Sequence, residues 1–155
     1  MTLVVLVGGA RSGKSQLAVE RAHAEGAPVT FIATGEALDD EMTARIELHK
    51  AERPETWTTI EEPVDLHGAL SSLPAGETAL VDCLSLWVAN GGDGSAPISR
   101  DGLTIAVTNE VGLGIVPDNA LARSYRDKLG RTNAAWVAAA DEAYFVVAGR
   151  MLRLE

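Results

Sequence analysis

Cysteine is nearly absent: Cys83 is the single one in 155 residues. That excludes a disulfide framework and a cysteine-built zinc cluster, and the expected compartment is a reducing one, the cytoplasm. Long hydrophobic runs are missing as well. The apolar run near the N-terminus, Leu3 to Val7, is far too short to span a bilayer. No basic segment precedes it and it meets Gly8-Gly9 directly, so neither membrane insertion nor a secretory leader is expected. Positive charge is scarce: 13 Lys+Arg stand against 22 Asp+Glu, a net charge of -9. An acidic chain of this kind argues against nucleic acid or a membrane surface as partner, while leaving room for a local basic pocket around a phosphate. No repeat, low-complexity tract or long linker divides the sequence, so residues 1–155 read as one domain. With 46% apolar and 23% charged residues, the composition suits a folded globular chain.

Short β-type runs alternate with helical patterns. Leu3–Val7, Val29–Ala33, Trp57–Ile60, Thr78–Asp82, Leu103–Asn109 and Ala143–Ala148 read as strands, with a short further one at Met151–Leu154. Between them, Ser15–Glu25, Asp39–Ala51, Val64–Leu73, Leu84–Ala89 and Asn119–Ala140 read as helices. Asp39 and Asp40 suit an N-cap, and Asp40 and Glu41 suit the positive end of the helix they open. The alternation predicts an α/β fold with a mostly parallel sheet and right-handed crossovers. Ligands of such sheets sit beyond the carboxyl ends of the strands. Chemistry is therefore expected at Gly8–Ser15, Thr34–Glu36, Asp82 and Asn109–Gly112.

The strongest motif is Gly8-Gly9-Ala10-Arg11-Ser12-Gly13-Lys14-Ser15, which fits G-x-x-x-x-G-K-[ST] between a strand and a helix. Its glycines let backbone N–H groups curl around a phosphate, and the helix that follows points its positive end at the anion. Lys14 would reach the β- and γ-phosphates and the Ser15 hydroxyl would ligate Mg²⁺. Asp82 ends a buried strand, where a carboxylate holds the same Mg²⁺ directly or through water; a plain strand-end carboxylate is the alternative. Of the three histidines, His23 reads as solvated surface and His67 has no evident polar partner. His49 ends the helix begun at Asp39. Arg45 stands four residues earlier on the same face, and Lys50 and Arg53 follow. Three cations around a histidine favour its neutral, nucleophilic form. By spacing alone, though, His49 is simply a histidine at a helix C-terminus.

Five segments together resemble a known family: GGARSGKS, IATGEALDDEMTARIELHK, RPETW, the strand ending at Asp82, and TNEVGLGIVPDNALARSYRDKLGRTNAAWVAAADEAYFVVAG. In order and over nearly the whole chain they look like the bifunctional adenosylcobinamide kinase/adenosylcobinamide-phosphate guanylyltransferases of cobalamin biosynthesis. The resemblance implies a RecA-like P-loop fold and a homo-oligomer, a trimer in the family. It implies that His49 is the guanylylated histidine and that Gly8–Ser15 is the phosphate loop. Further nucleotide contacts are implied at Thr34, Gly35 and Glu36, at Lys50, Ala51, Glu52 and Arg53, at Glu61 and at Asp82. The implied substrates are ATP or GTP with adenosylcobinamide, then GTP with adenosylcobinamide phosphate, with Mg²⁺ as cofactor.

Asn109-Glu110-Val111-Gly112 is expected to line the active face, with Gly112, Gly114 and Pro117 also explicable as a strand-end turn. Arg123, Arg126, Lys128 and Arg131 read as a solvated helix face, and Trp57, Trp87 and Trp136 as core or subunit contacts. One stretch departs from the family. Between the strands ending at Asp82 and Asn109, Gly91–Gly102 replaces a longer helical crossover. Leu80, Leu103, Ile105 or Val107 are expected to lose cover on one sheet face. Two other functions stay open on this reading: a P-loop small-molecule kinase without guanylyl transfer, and a GTP-binding module with impaired catalysis.

Overall fold

The computed structural model describes residues 2–155. In chain order its elements are β1 (Thr2–Gly8), α1 (Lys14–Ala24), β2 (Val29–Ala33), α2 (Asp40–Ala51), β3 (Thr58–Glu61) and α3 (Leu66–Ser71). There follow β4 (Thr78–Asp82), α4 (Leu84–Ala89), β5 (Leu103–Asn109), α5 (Ala120–Ala139), β6 (Glu142–Val147) and β7 (Arg150–Leu154). Every strand and helix read from the sequence is present, with ends moved by at most two residues.

The seven strands form one sheet in the order β3-β2-β4-β5-β1-β6-β7. All neighbours run parallel except β6 and β7, which form an antiparallel hairpin. This is the α/β arrangement with a mostly parallel sheet that the alternation predicted. The parallel strands are buried on both faces, which is why β1 reads as five apolar residues without alternation. One face packs Leu3, Val5, Val7, Val81 and Ala106 against α3, α4 and α5, with Trp87 and Trp136 in the interior. The other packs Val4, Leu6, Leu80, Ile105 and Val107 against Ala18 and Ala22 of α1.

That division corrects the expectation of lost cover. Leu80, Leu103, Ile105 and Val107 are all buried. The strand order is the reason. To carry the chain from β1 to β2, α1 must cross β5 and β4, and it covers these side chains on the way. The shortened crossover after β4 lies on the opposite face, where Ile98 packs into the core. Polar bonds hold that segment in place: Lys128 Nζ donates to the Gly92 carbonyl at 2.6 Å, Thr132 Oγ1 to Gly94 at 3.2 Å and Trp136 Nε1 to Ser95 at 2.9 Å. His67 does have a polar partner, the Ser95 hydroxyl at 3.3 Å from Nδ1, and its ring stacks on Trp136. Lys128 therefore belongs to the segment's anchor rather than to a solvated face. Arg123 is not a freely solvated side chain either: it donates to the Pro117 carbonyl at 2.9 Å, in the connection between β5 and α5. Arg131 is exposed as expected, and Trp87 and Trp136 are core.

Candidate nucleotide site

The carboxyl ends of β1, β2, β4 and β5 lie along one edge of the sheet, bringing together the loops the motifs occupy. The loop Gly9–Gly13 leaves β1 and enters α1 through Gly13, whose φ of 94° lies in the left-handed region where a side chain is strained. Neither a capping side chain nor an acidic residue occupies the first turn of α1. Its N–H groups are thus left for an anion. The loop is braced from behind by the β6–β7 turn: Gly149 N–H donates to the Ser12 carbonyl at 2.7 Å. The Ser12 hydroxyl is buried without a partner, and the Lys14 ammonium bonds the Gly9 carbonyl at 2.9 Å. Burial pushes the Lys14 pKa down, against the pull of Cys83 and Asp82. A buried ammonium facing free N–H donors is a strong site for a polyanion.

Asp82 is separated from β1 by β5 in the sheet, yet α1 crosses over to it. Its carboxyl and the Ser15 hydroxyl line one cavity; burial raises the Asp82 pKa, opposed by Ser15 and by neighbouring His49, Lys14 and Arg53. Ser15 and Asp82 together offer two hard oxygen donors. Among the described residues no cluster of three or more His, Cys, Asp or Glu is placed to hold a metal. The pair fits a small divalent cation that takes its other ligands from phosphate and water, as Mg²⁺ does.

Behind this edge the turn from β4 into α4 is fixed by a buried polar network. Thr34 Oγ1 donates to the Cys83 carbonyl at 2.6 Å and accepts from Cys83 N–H at 2.8 Å. Asn90 Nδ2 donates to the Thr34 carbonyl at 2.6 Å, and Ser85 Oγ accepts from Asn109 N–H at 3.2 Å. Thr34 is fully buried, so its side chain positions this edge rather than facing a ligand.

Helix α2 divides the remaining residues. None of its residues is buried, and Asp39 caps it through the Met42 N–H at 2.7 Å. On one side lies a cavity of about 360 Å³ lined by Ser15, Gln16, Val19, Glu20, Phe31, His49, Glu52, Arg53 and Asp82. Arg53 lies over the Phe31 ring, 3.4 Å from its centroid, with its Nε buried and unpartnered. His49 Nδ1 is 3.4 Å from the Glu52 carboxylate. On the other side a cavity of about 480 Å³ takes in Gly35, Glu36, Leu38, Ile46, Lys50 and Glu61. There Lys50 pairs with Glu61 at 3.1 Å, a bond that raises its pKa further. The structure therefore joins His49, Glu52 and Arg53 to Ser15 and Asp82, and gathers Gly35, Glu36, Lys50 and Glu61 separately. Ala51 is exposed and lines neither. Helical rotation of about 100° per residue sends His49 and Lys50 to different sides. Sequence reasoning missed Gln16, Val19, Glu20 and Phe31. The first three were available from helix spacing, one and four to five residues after Ser15.

A glycine-rich loop entering a helix, a buried lysine, and a strand-end aspartate sharing a cavity with the loop's serine define a P-loop nucleotide-binding protein. A profile of the cobinamide kinase / cobinamide phosphate guanyltransferase family matches residues 4–154. The bifunctional adenosylcobalamin biosynthesis protein CobP of Pseudomonas aeruginosa is 40% identical over 166 residues, covering 97% of this chain and 96% of that one. The corresponding CobU proteins of Escherichia coli and Salmonella typhimurium are 38% identical, over 95% of this chain and 96% of theirs. The chain belongs to the cobinamide kinase / cobinamide phosphate guanyltransferase family. Alignments of 166 to 176 positions exceed its 155 residues, so these relatives carry residues it lacks. Among the described residues, no helix is long and apolar enough to cross a membrane.

Proposed function

We propose that the protein phosphorylates adenosylcobinamide with ATP or GTP, and then transfers GMP from GTP to the adenosylcobinamide phosphate through a guanylyl-histidine. The observation that carries this is the shared cavity of His49 with Ser15 and Asp82, directly beside the phosphate loop. In the kinase step the hydroxyl of the aminopropanol arm attacks the γ-phosphorus, and the nucleoside diphosphate leaves. Lys14 and the loop N–H groups hold the transferring charge. In the transferase step an imidazole nitrogen of His49 attacks the α-phosphorus of GTP and pyrophosphate leaves, so a P–N bond replaces a P–O bond. The Glu52 carboxylate beside Nδ1 favours Nε2 as the attacking nitrogen. A phosphate oxygen of adenosylcobinamide phosphate then attacks the same phosphorus and restores His49, giving adenosylcobinamide-GDP.

Ser15 and Asp82 are the residues that would hold Mg²⁺, which when bound supplies charge neutralisation on the phosphates. Gly8, Gly9, Ala10, Arg11, Ser12 and Gly13 form the phosphate cradle. Gly35, Glu36, Lys50 and Glu61 supply contacts to the nucleoside from the second cavity, with Arg53 at the first. A homo-oligomer, a trimer, in the cytoplasm is the working form; light scattering on the purified protein tests the trimer. Incubation with adenosylcobinamide, GTP and Mg²⁺, followed by mass spectrometry over time, tests the two reactions. Adenosylcobinamide phosphate should rise first and adenosylcobinamide-GDP should replace it. Phosphate product alone would reduce the protein to a kinase, and neither product would overturn the reading.

A further inference from the structure

The loop that follows β5 presents apolar side chains to solvent. Leu113 is 79% exposed, Ile115 98% and Val116 64%, with Leu121 beyond them at the start of α5. Its ends are fixed. Glu110 N–H donates to the Gly8 carbonyl at 3.0 Å, so the loop leaves the sheet right beside the phosphate loop. At the far end Arg123 holds the Pro117 carbonyl and Asn119 caps α5 through Ala122 N–H at 2.8 Å. A short loop anchored at both ends with its apolar side chains turned outward is a recognition surface rather than a folding remnant.

We infer that this loop, residues 111–117, is the docking surface for the corrin ring of the substrate. The inference rests on the proposed function and adds a binding site to it. The two cavities around α2 measure about 360 and 480 Å³. Both border residues proposed to bind nucleotide, and neither admits a corrin macrocycle with its amide arms. With both of these cavities taken by nucleotide, the ring is placed on the open surface within reach of its aminopropanol arm from Lys14. Charge selects the surface. The cobalt centre of adenosylcobinamide carries net positive charge. From Asp101 to Ala122 the chain has no Lys, Arg or His, while Glu110 and Asp118 flank the apolar side chains. A second exposed apolar group, Val147, Met151, Leu152 and Leu154, is interleaved with Arg150 and Arg153, which repel such a ligand. Methyl- and methylene-rich ring edges against Leu113 and Ile115 supply the contact.

The test is equilibrium dialysis of adenosylcobinamide against the parent protein and a Leu113→Ser/Ile115→Ser double variant. The rise in melting temperature on adding GTP serves as the check of folding. Removing two exposed apolar contacts should weaken binding about tenfold or more while the GTP-induced rise is kept. Equal affinities would overturn the inference. So would a loss of oligomer in the double variant with corrinoid affinity unchanged, which would assign the loop to a second copy of this chain. Should the pair fail the folding check, Ile115→Gln alone gives the same reading. A parent protein that binds no adenosylcobinamide at all would instead overturn the functional reading on which the inference rests.

Discussion

The indole N–H of Trp136 donates to the Ser95 carbonyl across 2.9 Å, while the ring itself is fully buried. One residue of α5 thus joins the core to the irregular segment between α4 and β5. The same helix reaches that segment again through Lys128 to Gly92 and Thr132 to Gly94. A short irregular connection is stable here because its carbonyls are satisfied by a long helix already packed on the sheet.

Trp136→Phe keeps most of the ring but leaves the Ser95 carbonyl without a donor. A loss of about 1–3 kcal/mol in urea unfolding is expected, with nucleotide binding retained in the folded fraction. A variant as stable as the parent would mean that Gly91–Gly102 is not held through this bond.

Legibility of the fold followed the range of the interaction that sets each part. The phosphate loop and its flanking elements were readable because spacing, glycine freedom and helix polarity are local to Gly8–Ser15. So were the strands, whose apolar runs need no partner to be seen. Cover over Leu80 and Ile105 was misjudged because it depends on strand order, which carries α1 over them and which no local pattern states. The bonds from Lys128 and Trp136 to Gly92 and Ser95 span 36 and 41 residues and were invisible for the same reason. At the site, His49 and Asp82 were both named, but their common cavity was not. Nor was the separation of Lys50 and Glu61 on the far side of α2.

Gly13→Ala tests the phosphate loop. At φ 94° a methyl group is strained, and it would also stand 3.2 Å from the Gly149 Cα. The expected cost is about 1–2 kcal/mol in stability, with GTP affinity falling alongside, read from melting curves with and without GTP. A normal GTP shift in this variant would separate the loop's shape from its binding.

Asp82→Asn should separate stability from function. Burial raises the carboxyl pKa above 3.8, so the native state binds more protons than the unfolded chain between 3.8 and the raised value. Stability from this group therefore falls as pH rises through that window, and the cost persists at neutral pH. The amide variant should melt higher than the parent at pH 7, yet lose its Mg²⁺-dependent gain from GTP. A lower melting point would show that the charged carboxylate is favourable in the free protein.

Lys14→Met removes the buried ammonium at the phosphate loop. A fall of about 100-fold or more in kcat for phosphorylation of adenosylcobinamide is expected, in line with loss of one preorganised charge in a dry site. Unchanged kcat with a raised KM would confine Lys14 to ground-state binding.

Cys83 is buried, and burial pushes its thiol up to about 11. Little thiolate exists at pH 8, so the native protein should leave a thiol-reactive chromophore unreacted for as long as it stays folded. One equivalent should react at once in denaturant. Fast labelling of the native protein would place Cys83 in an open site.

The most direct test of the account is labelling with α-³²P-GTP and Mg²⁺, followed by denaturing electrophoresis, with His49→Ala run alongside. The account predicts an acid-labile, alkali-stable label on the parent protein and none on the variant. A label that persists in folded His49→Ala, or a folded, GTP-binding parent that takes none, would contradict it.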